Sequence, residues 1–397
     1  MITSSRVNNI IISTTMKINA EARAMKALGE NVMDLSVGEP DFPTPQNIKD
    51  AAKRALDNNE TRYTLNPGKI ELREAIAMKL KSENGIEYSP NNIIVSTGAK
   101  QSLYNAILSL VNEGDEVIFC SPYYVTYPEI VTLANGKSVI IPTTEENGFN
   151  LTASQLEKAI TPKSKVLILG YPTNPTGSSY SKEELESIAE VVEKHNLYVV
   201  TDDIYEHLIY DKNKFTCFAA INDKMKARTV VVNGFSKTYA MTGWRIGYGA
   251  GPEEIIKAMN KIQSHSTSNA SSISQAAALE ALNGPQDYVT MMQKEFEKRR
   301  NIFYDLITSI DGVTCVKPKG AFYVFPNVSS YFGRKTSSVK IENSYDLAMY
   351  LLHEGKVATV PGSGFGAEGY LRMSYSNSIE NLTESAKRIK EALGKLV

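Results

Sequence analysis

Thr229-Val230-Val231-Val232-Asn233-Gly234-Phe235-Ser236-Lys237-Thr238-Tyr239-Ala240-Met241-Thr242-Gly243-Trp244-Arg245-Ile246-Gly247-Tyr248 is the stretch on which the reading of this chain turns. Its apolar start reads as a buried strand. Small residues then set Lys237 just past the strand end, and Arg245 follows eight residues later. A lysine held among small neighbours there is a candidate imine-forming amine, and the arginine a candidate clamp for phosphate or carboxylate. Short motifs match by chance, and Ser-Lys-Thr alone more often means a polar loop with two solvated cations. The flanking segments decide between the two readings.

From Asn91 onward, short apolar runs alternate with amphipathic ones. Strands are expected at Ile93–Ser96, Glu116–Cys120, Ser138–Ile141, Val166–Leu169, Tyr198–Thr201, Thr229–Asn233 and Ile246–Ala250. Helices are expected at Gln46–Asn58, Ile70–Asn84, Lys100–Val111, Pro128–Asn135, Ser181–His195 and Glu253–Ser264. This alternation predicts an α/β fold with a mostly parallel, seven-stranded sheet between helices. Past Asn269 the pattern changes to helices near Ser271–Asn283 and Gln286–Ile310, then short strands at Val313–Val316 and Ala321–Phe325. A helix at Ser344–Glu354, strands at Val357–Val360 and Tyr370–Tyr375, and a last helix from Ile379 complete a smaller α+β unit. The expected division is a large domain over 46–285, and a small domain built from 286–397 with the N-terminal segment 1–45. Pro40, Pro43 and Pro45 rule out regular helix and suggest a strap crossing a surface or cleft.

With 397 residues the chain can bury large cores, and 42% hydrophobic and 22% charged residues describe an ordinary globular protein. A net charge of -1 gives no basis for binding nucleic acid or an anionic membrane. Cys120, Cys217 and Cys315 lie far apart and form no Cys-x-x-Cys, which argues against a disulfide framework or zinc knuckle and suits a reducing compartment. No apolar run is long enough to span a membrane, and residues 1–20 lack a signal-peptide pattern, so a cytoplasmic location is expected. The histidines (His195, His207, His265 and His353) show no metal-ligand spacing, and no metal is expected. No Gly-x-x-x-x-Gly-Lys-[Ser/Thr] is present, which removes the main ATP reading.

In open α/β sheets, ligands bind beyond the carboxyl ends of the strands. The residues following each strand form a convergent set. Thr97-Gly98-Ala99-Lys100 opens a helix whose free amides suit a phosphate. Ser121-Pro122-Tyr123-Tyr124 brings aromatic faces, and Tyr171-Pro172-Thr173-Asn174-Pro175-Thr176-Gly177 aims Asn174. Asp202-Asp203-Ile204-Tyr205 offers one inward carboxylate, because neighbours on an extended chain point to opposite faces. The other aspartate is expected to be structural or solvated. Lys237 completes the set.

Asn174-Pro175-Thr176-Gly177, Asp202-x-x-Tyr205, Ser236-Lys237-Thr238 through Arg245, and Arg372 before Met373-Ser374-Tyr375 resemble fold-type-I, pyridoxal-phosphate-dependent aminotransferases of class I. The resemblance runs from about Ser36 to Tyr375 and is greatest to prokaryotic-type aspartate aminotransferases. It implies that Lys237 binds pyridoxal 5′-phosphate covalently and moves the substrate's Cα proton. Asp202 would hold the pyridine nitrogen's proton, and Asn174 and Tyr205 would bond its phenolic oxygen. Tyr124, where relatives commonly carry tryptophan, would stack on one ring face and Ile204 on the other. The phosphate would rest at Gly98, Ala99, Lys100, Ser236 and Arg245. Tyr63 would reach a neighbouring subunit's phosphate, which implies a homodimer with shared sites. Arg372 would hold the substrate's α-carboxylate, with Asn174 and the Gly38 amide beside it.

Side-chain selectivity is the least constrained part. The resemblance implies that Lys100 and Thr15 read an acidic substrate's distal carboxylate. Relatives accepting prephenate tend to carry a basic residue at a position that is Ile11 here, which disfavours prephenate. The expected reaction moves an amino group from L-aspartate to 2-oxoglutarate. Alternatives on the same scaffold are an aromatic, alanine or prephenate aminotransferase, or a carbon–sulfur lyase. A transcription regulator built on the fold is disfavoured, since fewer than 40 residues precede Gly38 and they hold no helix-turn-helix pattern or basic patch.

Overall fold

The computed structural model describes residues 2–11 and 14–397, without the side chains of 14–16. Ahead of the main sheet lie α1 (Ser5–Asn8), α2 (Thr14–Ala27), β1 (Met33–Asp34), α3 (Gln46–Asp57) and α4 (Ile70–Asn84). The chain continues through β2 (Ile93–Ser96), α5 (Ala99–Leu110), β3 (Glu116–Ser121), α6 (Thr126–Leu133), β4 (Lys137–Pro142) and α7 (Ala153–Ala159). Next come β5 (Ser164–Gly170), α8 (Lys182–Lys194), β6 (Tyr198–Asp202), α9 (Asp223–Lys226), β7 (Thr229–Gly234), β8 (Gly247–Ala250), α10 (Glu253–Ser264) and α11 (Ser272–Asn283). The last part holds α12 (Asp287–Thr308), β9 (Tyr323–Val324), α13 (Ser344–Glu354), β10 (Val357–Ala358), β11 (Val360–Pro361), β12 (Leu371–Ser374) and α14 (Ile379–Leu393).

The large sheet has seven strands in the order β2-β8-β7-β6-β5-β3-β4, and β8 runs antiparallel to both of its neighbours. The pairings from β7 through β4 are parallel. Strands buried on both faces read as unbroken apolar runs, which is why β5, β6 and β7 are legible at once. Successive side chains still take opposite sides. Val166, Ile168, Val200, Val230 and Val232 pack with Leu103 and Ile107 of α5 and Met259 of α10. Leu167, Leu169 and Val199 pack the other way, against Leu156 of α7 and Leu185 and Ile188 of α8. Helix α8 starts cleanly because the Ser181 hydroxyl accepts from the Glu184 amide at 3.2 Å while the Glu184 carboxylate accepts from the Ser181 amide at 2.7 Å.

A second core joins the two ends of the chain. Ile18, Ala22 and Met25, spaced along one face of α2, pack with Phe296 and Phe303 of α12, Leu351 of α13 and Ile389 of α14. Strand β1 pairs with β10, and the Ser374 amide donates to the Leu35 carbonyl at 2.7 Å. The strap that follows is fastened on both sides. Arg299 of α12 donates to both carboxylate oxygens of Asp41, at 2.7 and 2.9 Å, while Thr44 donates to the Ala240 carbonyl at 2.6 Å.

Three expected strands differ from the structure. Val313–Val316 forms no strand, only an isolated bridge between Thr314 and Asn327. Ala321–Phe325 shortens to β9, because Ala321 adopts a left-handed φ of 57° that breaks the extended run. Val357–Val360 splits into β10 and β11, which serve different sheets on either side of Thr359.

Candidate active site

Strands β5, β6 and β7 end side by side, and Gly170 stands opposite Asp202 in the register of β5 and β6. The chain beyond these ends lines a cleft of about 560 Å³ together with the strap and β12. The cleft gathers Gly38, Ala99, Lys100, Tyr124, Asn174, Asp202, Ile204, Tyr205, Ser236, Lys237, Arg245 and Arg372. Residues from opposite ends of the chain therefore meet in one place.

Lys237 is a half-buried cation on the cleft floor. Its Nζ donates to the Gly38 carbonyl and lies 5.9 Å from the Tyr205 ring centre and 5.7 Å from that of Phe322. The sequence reading put the Gly38 amide to use; here it is the carbonyl that is engaged. Burial brings the Lys237 amine down to about 8, helped by the Arg372 and Arg245 charges and opposed by Glu39 and Asp202. A lysine lowered in this way is about one-tenth neutral at pH 7, a far larger nucleophilic fraction than an ordinary lysine has. Competitive labelling of the ligand-free protein with an amine-selective reagent should give Lys237 a midpoint near pH 8. A midpoint in the ordinary lysine range would contradict the buried setting.

Asp202 ends β6 with its carboxylate toward the cleft. Burial pushes it up to about 6, against the pull of hydrogen bonds from the Tyr127 hydroxyl and the Ile204 amide. Tyr127 donates to Oδ2 at 3.2 Å, whereas Oδ1 is buried without a partner among the described residues. Asp203 points the other way, as alternation requires. It is fully buried rather than solvated, and burial together with nearby Glu206 drives its carboxyl well above the usual range.

Arg372 is held flat. Its guanidinium centre lies 4.6 Å from the Tyr323 ring centre and 5.2 Å from that of Phe365. One terminal nitrogen donates to Asn174 Oδ1 at 3.0 Å and the other to the Ser36 carbonyl at 2.6 Å, while the buried Nε has no partner among the described residues. Tyr323 and Tyr205 share a hydroxyl contact of 2.9 Å. A side chain at Gly38 would place its Cβ 2.8 Å from the Tyr323 hydroxyl, so the strap passes there only as glycine.

The anion-binding end is built around α5. Gly98, with φ of 83°, precedes the helix, and the amides of Ala99 and Lys100 have no helical acceptor. Arg245 reaches over Gly98, where a Cβ would come within 2.5 Å of its guanidinium. Ser236 lines the same end. The set fits an aromatic ring bearing a basic nitrogen and a phosphate. An orphaned carboxylate oxygen awaits a proton donor, and amides, a hydroxyl and a guanidinium await an anion.

Two expected residues stand apart from this cleft. Tyr63 is 91% exposed on the outer surface and does not line it. Thr15 lies in α2, with its side chain outside the described residues. Conversely, Tyr127, Tyr323, Phe322, Phe365 and Arg23 belong to the site or its rim without having been singled out from sequence. The spacing that places Tyr127 one helical turn beyond Tyr124 is a signal for the first of them. For Arg23, its place beside Ala22 of the buried α2 face gives none.

Elsewhere, Glu83, Glu206 and His207 bring ligand atoms within 4.8 Å of one another. Lys79 already occupies that position, paired with Glu206 and 3.5 Å from Glu83, so the cluster is an ion-pair network. His207 takes part in it at 3.2 Å from Glu83.

The family model for aminotransferases of class I and II matches residues 30–389. A probable aspartate/prephenate aminotransferase of Rickettsia felis is 48% identical over 100% of this chain and 97% of its own length. The aspartate aminotransferase of Bacillus subtilis is 46% identical over 99% of each chain. Among solved structures, the aspartate aminotransferase from Rhizobium meliloti superposes with a TM-score of 0.96, at 44% identity and covering 100% of both chains.

Proposed function

We propose, for a chain that belongs to the class I and II aminotransferases, that it transfers the amino group of L-aspartate to 2-oxoglutarate, giving oxaloacetate and L-glutamate. Pyridoxal 5′-phosphate is the cofactor that fits the cleft; when bound, it supplies the aldehyde that accepts amino groups and a ring that withdraws electron density from the substrate's Cα. The observation that carries this reading is the convergence of Lys237, Asp202 and Arg372 on one cleft from separate segments.

Each side chain then has work its setting suits. Lys237 Nζ, lowered by burial, would be the amine that holds the cofactor and the group that moves the proton of the substrate's Cα. Asp202 Oδ1 would hold the proton of the ring nitrogen, and Tyr205 and Asn174 would bond the phenolic oxygen. Tyr124 and Ile204, which both line the cleft, would bound the two ring faces. Gly98, Ala99, Lys100, Ser236 and Arg245 would hold the phosphate, joined by Tyr63 of a second copy in a homodimer. Arg372 has three N–H groups uncommitted after Asn174 and Ser36 and binds the α-carboxylate with two of them. Asn174 and the Gly38 amide complete this end.

Lys100 sits 5.4 Å from the Tyr124 ring centre at the cleft wall and is the residue proposed, together with Thr15, to meet a distal carboxylate. The division into a domain over 46–285 and another from 1–45 with 286–397 belongs to the same reading. So does a cytoplasmic location; among the described residues no helix is long and apolar enough to cross a membrane.

The Rickettsia relative's name keeps prephenate as a second reading, although uncharged Ile11 lines the cleft and its amide donates to Glu129 at 3.1 Å. Steady-state rates with aspartate, tyrosine, alanine, cystathionine and, with glutamate as donor, prephenate test both. Aspartate is expected to give the highest kcat/KM. If it ranks among the slower donors, the aspartate assignment is wrong.

A further inference from the structure

We infer that Tyr127, admitted by the missing side chain of Gly170, is the positioning residue that keeps Asp202 anionic and turned so that Oδ1 alone faces the cofactor. This rests on the functional reading above, which gives Asp202 its partner.

Three separate observations meet here. The Tyr127 hydroxyl donates to Asp202 Oδ2 at 3.2 Å and so fixes which carboxylate oxygen is left over. That leftover atom, Oδ1, is buried without a partner among the described residues. Gly170, opposite Asp202 in the sheet, has no room for a Cβ, which would collide with the Tyr127 hydroxyl. Its backbone takes no left-handed conformation, so glycine is required there for space and not for φ. The Tyr127 ring is itself wedged, edge-on to Phe119 at 6.0 Å and to Tyr124 at 5.7 Å. A buried tyrosine hydroxyl needs an acceptor, and the acceptor it meets is this carboxylate.

The energetic consequence has a definite sign. A buried carboxylate resists ionisation, and a donated hydrogen bond favours the charged form. Lys237 and Lys100 also face Asp202 and favour its charge; the Ile204 amide donates to it, and Asp203 lies behind it. With burial still holding Asp202 up to about 6, its margin below neutral pH is narrow. Removing the Tyr127 hydroxyl raises that value further. Asp202 then becomes neutral within the working range and loses its hold on a protonated ring nitrogen.

The test is binding, not turnover. Apoenzyme is titrated with pyridoxal 5′-phosphate, following protein fluorescence, between about pH 5.5 and 8.5 (roughly the span over which a carboxyl held near 6 changes charge). In wild type the affinity should fall on the acid side with a midpoint near 6. In Tyr127→Phe the midpoint should move up by about one unit, so that the affinity loss is about threefold near pH 6.5, approaches about tenfold toward pH 5.5 and is small at about pH 8.5. Gly170→Ala, which displaces the ring without removing its hydroxyl, should shift the midpoint in the same direction. Should Tyr127→Phe fold poorly, Gly170→Ala alone decides. A wild-type midpoint in these variants, or a loss that is uniform with pH, overturns the inference. Wild-type apoenzyme that takes up no cofactor overturns the functional reading instead.

Discussion

Lys237→Ala should lose transamination by about 10⁴-fold or more, the upper end of what one positioned proton-transfer group contributes. On the proposed roles the loss is this large because the same amine would serve as nucleophile and as proton carrier, so no other group inherits either task. Among the described residues lining the cleft, the other lysine is Lys100, committed to the wall beside Tyr124. The variant should also lose the long-wavelength absorbance of covalently held cofactor. Its fold should persist, since the side chain gives up one hydrogen bond to Gly38 and two long ring contacts. Single-turnover rates with aspartate, a visible spectrum and far-ultraviolet circular dichroism check the three parts. Retention of the spectrum, or a rate within about tenfold of wild type, would sink the assignment of Lys237.

Arg372→Ala should lower kcat/KM by about 10²–10⁴-fold for every amino-acid donor, because two charge-assisted hydrogen bonds at roughly 1.5–3 kcal/mol each disappear. The α-carboxylate is common to all these substrates, so the loss should not depend on the side chain. Arg372→Lys should recover little. A point charge cannot match a planar fork, and it would also forfeit the stacking between Tyr323 and Phe365. Comparing aspartate with alanine makes the prediction sharp. If alanine were spared while aspartate suffered, Arg372 would belong to side-chain recognition and the α-carboxylate would have to be bound elsewhere.

The large sheet was legible because its inner strands are apolar throughout and its helices carry clear stripes. Runs such as Val230-Val231-Val232 need no tertiary information: Thr229–Gly234 is buried at every position, and its sequence says so. The opposite pointing of Asp202 and Asp203 also followed from strand geometry alone. What went unread depends on approach from a distance. Tyr323 matters because it lies between Arg372 and Tyr205, a relation between three elements that no local pattern encodes. Phe322 beside Lys237 is of the same kind. Helix α2 was missed despite the helical spacing of Ile18, Ala22 and Met25, since a few apolar residues amid polar ones give a faint stripe. In the C-terminal part the strands run two to four residues, too short for alternation to declare itself, and Ala321 leaves the extended region altogether.

The glycines around the cleft carry a consequence for how this protein tolerates change. Gly38, Gly170 and Gly247 have ordinary backbone angles, yet a methyl group at each would strike the Tyr323 hydroxyl, the Tyr127 hydroxyl and the Ala99 amide respectively. They act as moulds, each the negative of a neighbouring functional group. In a saturation scan they should behave like catalytic positions, with alanine nearly as damaging as any larger residue. Gly85, Gly114 and Gly148, which stand in open space with left-handed backbones, should instead admit asparagine. An engineer seeking to widen substrate range would therefore find the cleft's shape written as firmly in its absent side chains as in those present.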